Sequence, residues 1–233
     1  MELPIFNDNL KSSGTWTTEL AREQANWRAR HGDLPVGLGF VEGELVRLGE
    51  EAEGERLRLA AGLVSGWACE PVARFDQDRL LELNRVLRGL EPGAPLLRTG
   101  EPPLLSELHD PAPARLLPRL LDLAFDWFTT EGFAELHPVE QGTVVYLRLL
   151  DLSPFPEMLE TTALLAGGFH TCRGGFPLLT IDAGEVDSTR YRQALAAAFR
   201  MLTQPLVEYF ADSLIYSMKQ AMEQAGIPAG GER

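Results

Sequence analysis

Pro154 and Pro156 constrain the middle of this chain more strongly than any other feature. Proline lacks a backbone N–H and disfavours helical geometry at the residue before it. Ser153 and Phe155 therefore cannot continue a helix, and the chain must turn between them. We predict a tight loop at this point and a helix that restarts near residues 158–159.

The residues before the loop have the pattern of a buried helix. Pro138 suits a first helical turn, where its missing N–H costs nothing. Apolar residues then recur at helical spacing and form one continuous face, made of Val139, Val144, Val145, Leu149 and Leu152. We expect residues 138–152 to form a central helix that lies antiparallel to the helix after the loop.

A loop that leads into a helix N-terminus offers unpaired N–H groups and the positive end of the helix dipole, which together favour phosphate. This loop also carries Glu157 and Glu160. Their carboxylates could cap the same N–H groups, and they would repel a polyphosphate unless a cation lay between. Two interpretations stay open from these residues: a helical hairpin capped by its own acids, which we favour, and a nucleotide site.

Amphipathic patterns elsewhere predict an all-α fold. Four glycines predict a connecting loop instead of a helix: Gly167, Gly168, Gly174 and Gly175. The predicted helices cover residues 15–30, 41–67, 76–90, 113–130 and 205–224, with one more that is capped by Asp187 or Ser188.

Composition restricts the classes of partner. The formal charge of -13 disfavours non-specific nucleic-acid binding, which depends on Lys and Arg. No run approaches the roughly 18 apolar residues of a membrane span, and the first residues lack the order of a signal peptide, so we expect a cytoplasmic protein with no membrane partner. Cys69 and Cys172 give neither a disulfide framework nor a metal pattern.

The central stretch resembles the Fic (Fido) family. Active members open a helix with His-Pro and carry, sixteen residues on, a loop of the form His-Pro-Phe-x-Asp/Glu-Gly-Asn-Gly-Arg-x-x-Arg. This chain has His137 and Pro138 and, sixteen residues later, Ser153, which begins Ser-Pro-Phe-Pro-Glu. Leu164 takes the place of the final Arg. The Gly-Asn-Gly-Arg positions hold Met158, Leu159, Glu160 and Thr161.

A second register of the same resemblance would make His137 the catalytic histidine. It retains Gly142 and Arg148 but leaves Ser153 and the downstream likeness out of register. We rank it second, because Val144 and Val145 look like core residues.

Residues 93–105 resemble the family's Gly-x-x-Arg-Thr-Gly flap, through Leu97, Arg98 and Thr99. In active members the flap holds the target's backbone as an added strand. Three prolines in this segment cannot donate to a strand ladder, so a weakened hairpin and a plain loop both stay open. Ser65 and Glu70 lie where many members carry an inhibitory helix, but they are five residues apart instead of four. In the family that glutamate pairs with the loop arginine, which this chain lacks, so we assign Glu70 no inhibitory role.

The resemblance implies a Fic-like helical bundle with a long central helix hairpin and a short flap hairpin or loop. Residues 60–225 would form the core, residues 1–59 an N-terminal helical extension packed on it, and residues 226–233 a mobile tail. Active members move AMP from ATP to a protein hydroxyl. The loop histidine is the general base, the acid at the Glu157 position holds the metal, the Gly-Asn-Gly backbone cradles phosphates and the arginine neutralises charge.

Ser153 cannot take a proton as imidazole does, and the arginine position holds Thr161. We therefore expect a degenerate Fic-fold protein that has lost AMP transfer and acts through an unidentified protein partner. The cofactor stays unknown, and these changes argue against ATP with Mg²⁺. The alternative is a diverged nucleotidyl or phosphoryl transferase that uses another phosphorylated donor, with Glu157 as metal ligand and Ser153 as acceptor. A helical domain unrelated to Fic is a third interpretation, and the oligomeric state stays open.

Overall fold

The structure is a computed structural model that describes residues 15–31, 51–72, 74–100, 108–181 and 189–224. These ranges hold nine α-helices, one 3-10 turn and no β-strand, which confirms the predicted all-α class. The helices are α1 (Thr15–His31), α2 (Glu51–Ala68), α3 (Gln77–Arg88), α4 (Leu117–Phe128), α5 (Glu131–Ala134), α6 (Pro138–Leu152), α7 (Leu159–Arg173), α8 (Thr189–Ala198) and α9 (Gln204–Gln224), and the 3-10 turn Ala114–Leu116 precedes α4.

The hairpin of α6 and α7 forms the centre of the fold. The two helices pack against each other more extensively than any other pair, and α9 covers α6 while α2 and α3 cover α7. The α1 helix packs against α9. The predicted apolar face of α6 is buried along its length, because the surrounding helices pack against this hairpin.

Local capping explains where α6 begins. The Nδ1 atom of His137 accepts a hydrogen bond from the N–H of Val139 at 3.2 Å, and the Glu140 carboxylate accepts from the N–H of His137 at 2.8 Å. Pro138 occupies the first turn. This is a capping box, which satisfies N–H groups that a helix start leaves unpaired.

The helix α7 runs through Gly167 and Gly168 to Arg173, so the predicted glycine-rich break at these two positions is wrong. A Cβ on Gly142 of α6 would lie 2.8 Å from the carbonyl oxygen of Gly167, and a Cβ on Gly167 would lie 2.5 Å from that of Gly142. The two backbones meet where only glycine fits. Tertiary packing therefore offsets the poor helix propensity of the glycine.

Some of the predicted helix ends lie within the described residues, and others do not. Asp76, one of two aspartates that the sequence offers as a cap beside Asp78, caps α3, because its Oδ1 accepts from the N–H of Arg79 at 2.9 Å, and Gly89 ends the helix with a φ of 63°. Residues 41–50 of the predicted long helix, the cap at Asp187 or Ser188 and the tail 226–233 lie outside the described residues. Among the helices described here, none is long and apolar enough to cross a membrane.

Candidate functional site

The turn between α6 and α7 lies where the two prolines predicted it. Ser153 ends α6 in the left-handed conformation, with φ 45° and ψ 57°. Its N–H donates to the carbonyl of Leu149, and its hydroxyl donates to the carbonyl of Leu150, both at 2.9 Å. The exposed fraction of Ser153 is 0%, so its hydroxyl is a structural group of the interior.

Arg98 holds this turn from the other side. Its N–H donates to the carbonyl of Pro154 at 2.9 Å, and its Nε donates to the carbonyl of Ser153 at 2.5 Å. Its Nη2 donates to the carbonyls of Leu152, at 3.3 Å, and of Ala112. A buried guanidinium at a helix C-terminus thus satisfies carbonyl groups that the helix leaves unpaired.

The flap residues lie beside the turn without forming a strand in the part that the structure describes. Arg98 is buried, while Leu97 is half-buried and Thr99 is exposed. Residues 91–100 are irregular, and residues 101–107 lie outside the described ranges. The described part is therefore a loop, and its arginine is occupied with the turn.

The loop positions that the resemblance aligns with the family's Gly-Asn-Gly-Arg carry the side chains of Met158, Leu159, Glu160 and Thr161. Met158 adopts a left-handed conformation, with a φ of 56°, at the position where the family motif has glycine. Leu159 opens α7 and is buried. The side chain of Thr161 is half-buried one residue beyond Glu160. A non-glycine residue in this conformation costs of order 1–3 kcal/mol, which indicates that the surrounding structure holds the loop in shape.

Glu160 faces two tyrosines instead of capping α7. Its Oε1 accepts from the hydroxyl of Tyr191 at 2.7 Å and from that of Tyr146 at 3.1 Å, and the two hydroxyl oxygens also lie in contact with each other. Burial, together with the neighbouring acidic groups, raises the pKa of both tyrosines. Both therefore stay protonated and can donate, so the carboxylate is held at the second glycine position of the cradle.

Glu157 lies between two residues of α3 that the sequence did not single out. Its carbonyl accepts from Asn84 Nδ2 at 3.1 Å, and the same Nδ2 donates to Thr162 Oγ1 at 3.0 Å. Its carboxylate Oε2 lies 3.8 Å from Arg88 Nε. Asn84 and Arg88 are one turn apart, so one face of α3 holds both the backbone and the charge of this loop residue.

The surroundings of the Glu157 carboxylate disfavour a divalent cation there. A guanidinium lies beside the Glu157 carboxylate, and its positive charge opposes a second cation at the same oxygens. Among the described residues no group of three or more His, Cys, Asp and Glu side chains comes together. The proposal that Glu157 holds a metal ion thus has no cluster of three such ligands among the described residues to support it.

Another polar cluster lies at the end of α6. His109 Nε2 is 2.7 Å from Asp151 Oδ1, and Arg148 pairs with Asp151 Oδ2. The ring of His109 stacks on Phe199 with centroids 4.6 Å apart. Arg148 is thus bound within its own helix and does not serve as a loop arginine.

The second register, with His137 as the catalytic residue, is excluded. Residues 138–152 are one continuous helix, and Gly142 is packed against Gly167 inside it. The ring of His137 packs on Trp16 and Phe176, and burial lowers its pKa. It is a capping residue at the end of α6 opposite the turn.

The arrangement of these helices is the Fic fold. No family model matches the sequence, and no curated protein sequence matches it. The structure is similar to that of a Fic domain containing signaling protein from Bacteroides thetaiotaomicron, with 18% identity, a TM-score of 0.68 and coverage of 96% of this chain and 100% of that one. The structural prediction made from the central stretch is therefore confirmed at the level of the fold.

Two further structures show the same fold. A Fic family protein from Desulfovibrio desulfuricans has 15% identity and a TM-score of 0.60, and the match covers 94% of this chain and 77% of that one. A variant of IbpAFic2 in complex with adenylylated Cdc42 has 16% identity and a TM-score of 0.52, with coverage of 92% and 65%. Identities this low establish the fold and leave the activity to the site itself.

Proposed function

We propose that this Fic-fold protein does not transfer AMP and acts by binding another protein. The observation that supports this most is the state of Ser153. It replaces the base of the family motif, it is fully buried, and its hydroxyl donates to the carbonyl of Leu150. A positioned general base typically contributes a factor of about 100 to 10,000 to a rate, and the serine at position 153 has no imidazole to provide it.

The phosphate cradle supports the same conclusion. Backbone N–H groups can approach a phosphate only where side chains are absent, and Met158 and Leu159 add bulk there. Glu160 adds a carboxylate that two tyrosines hold in place. The loss of the arginine at the Thr161 position removes a charged hydrogen bond worth about 1.5–3 kcal/mol.

A protein partner fits the fold and the relatives. IbpAFic2 forms a complex with Cdc42, so the same architecture presents a surface to another protein in that case. Here the turn and the flap residue Arg98 are fastened to each other by hydrogen bonds. A rigid loop of this kind suits recognition, because less conformational entropy is lost on binding.

Calorimetric and thermal-shift titrations with ATP and Mg²⁺ test the proposal. We expect no heat of binding in the micromolar range and no rise in the melting temperature, while an active Fic enzyme measured in parallel shows both. Clear micromolar binding by the wild-type protein would contradict the proposal.

A second candidate is a diverged transferase that uses another phosphorylated donor. The observation that favours it is Glu157, an exposed acid that lies beside the basic residue Arg88 at 3.8 Å. A screen of phosphorylated metabolites as donors, read by mass spectrometry, tests it. This candidate requires that E157Q abolishes any transfer found, and an unchanged rate would eliminate it.

A further inference from the structure

Arg88 is a half-buried cation with two buried nitrogen atoms whose hydrogen-bonding capacity is unused. Its side chain is 12% exposed, and its Nε and Nη1 atoms are buried without a hydrogen-bond partner. Arginine does not lose its proton in proteins, so the charge cannot be removed by a pKa shift. Leaving such donors unpaired costs free energy, and an acceptor that completes them would recover it.

Glu157 is an incomplete partner for this guanidinium. The 3.8 Å between Arg88 Nε and Glu157 Oε2 is an ion-pair distance but is too long for a hydrogen bond. The Glu157 side chain is 71% exposed, so water screens the pair and the carboxylate can turn away into solvent. Its backbone stays in place meanwhile, because Asn84 Nδ2 holds the Glu157 carbonyl at 3.1 Å.

Asn84 adds an unused acceptor on the same face of α3. The residue is fully buried, and its Oδ1 has no donor. A ligand that satisfies both residues must carry a negatively charged oxygen for Arg88 and a hydrogen-bond donor for Asn84. Phosphate near neutral pH has both, because it presents P–O⁻ and P–OH groups together.

We propose that Arg88 and Asn84 form a binding site for a phosphate group and that the side chain of Glu157 closes it. When phosphate binds, the Glu157 carboxylate moves into solvent and the guanidinium donates to the phosphate oxygens instead. Binding needs no divalent cation, because Arg88 supplies the positive charge. The site lies outside residues 158–161 and does not depend on whether AMP transfer has been lost.

Inorganic phosphate is the probe for this site. The wild-type protein is titrated with it in EDTA, against sodium chloride at matched ionic strength, and binding is followed by the melting temperature and by calorimetry. We expect a saturable rise with phosphate alone. The R88M variant should lose at least a factor of ten in affinity, because hydrogen bonds to a charged group are removed.

Two further variants make the result specific. Arg85 lies on the same helix but is paired with Glu82, so R85M is the matched control and should bind phosphate as the wild type does. E157Q removes the competing carboxylate from an exposed position and should strengthen binding by about two- to fivefold, the range typical of an exposed ion pair.

Several outcomes would overturn the site. A wild-type protein that gains no stability from phosphate beyond the salt control has no such site. Equal affinity in R88M and wild type would place the phosphate elsewhere. A requirement for Mg²⁺, together with weaker binding in E157Q, would instead assign Glu157 to a metal ion.

Discussion

The Nε atom of Arg98 donates to the carbonyl oxygen of Ser153, 2.5 Å away in the interior. The segment that resembles a target-binding flap is thereby fastened to the turn that it would serve. Two residues 55 positions apart in sequence form this contact. The turn is held as a structural feature of the fold.

Replacing Arg98 should weaken the fold markedly. R98M removes the side-chain donors to the carbonyls of Leu152 and Ser153 and leaves those oxygens buried. We expect a loss of about 3 kcal/mol in the free energy of unfolding, since each hydrogen bond to a charged group contributes about 1.5–3 kcal/mol. Urea denaturation measures it. R119M, at an exposed position of α4, should change stability by no more than about 0.5 kcal/mol.

Replacing a glycine by alanine should change stability in opposite directions at Gly142, where α6 and α7 cross, and at Gly62, which has open space around it. G142A places a Cβ 2.8 Å from the Gly167 carbonyl and should destabilise the protein by about 1–3 kcal/mol, as overpacked cores do. G62A in α2 meets nothing within 4 Å and should stabilise it by up to about 1 kcal/mol. Thermal and urea unfolding of both variants compare them. A neutral G142A would mean that the helices separate easily at this crossing.

His170, whose Nε2 atom is buried, makes stability depend on pH. Its Nε2 has no partner, its ring packs on Phe133, and burial lowers its pKa from 6.5 to about 4. The unfolded chain therefore binds the proton more tightly than the folded one between these values. The free energy of unfolding is therefore not reduced by His170 above about pH 6.5. It decreases as pH falls to about 4, by up to about 3 kcal/mol in total.

The variant H170L isolates this effect. The difference in unfolding free energy between wild type and H170L should shift progressively between pH 6.5 and pH 4.5, in the direction that penalises the wild type at low pH. The same comparison with a variant of His109, which is paired with Asp151, separates it from other histidines. A difference that stays constant with pH would show that His170 has the same pKa in the folded and the unfolded protein, which would contradict the prediction.

Local rules predicted much of the hairpin. Pro138, Pro154 and Pro156 fixed the start of α6 and the turn because proline acts on its immediate neighbours. The cap at Asp76 was predictable for the same reason, since the acceptor and the N–H that it binds are three residues apart. Elements that depend on such short-range contacts are readable from sequence.

Long-range contacts account for what the sequence did not reveal. Gly167 looks like a helix breaker until Gly142 is placed against it. Tyr146 looks like an ordinary core residue, because only the fold brings its hydroxyl to Glu160. Arg88 lies on a helix far along the chain from Glu157, and no spacing rule joins them.

Transfer of labelled AMP tests the central claim most directly. The purified protein is incubated with ATP labelled in the α-phosphate, Mg²⁺ and a cell lysate, beside an active Fic enzyme. We predict label on proteins in the enzyme sample only, because Ser153 is a buried structural residue and no base stands in its place. Label on any protein that appears with the wild type and disappears with E157Q would show that the loop is catalytic and would contradict the account.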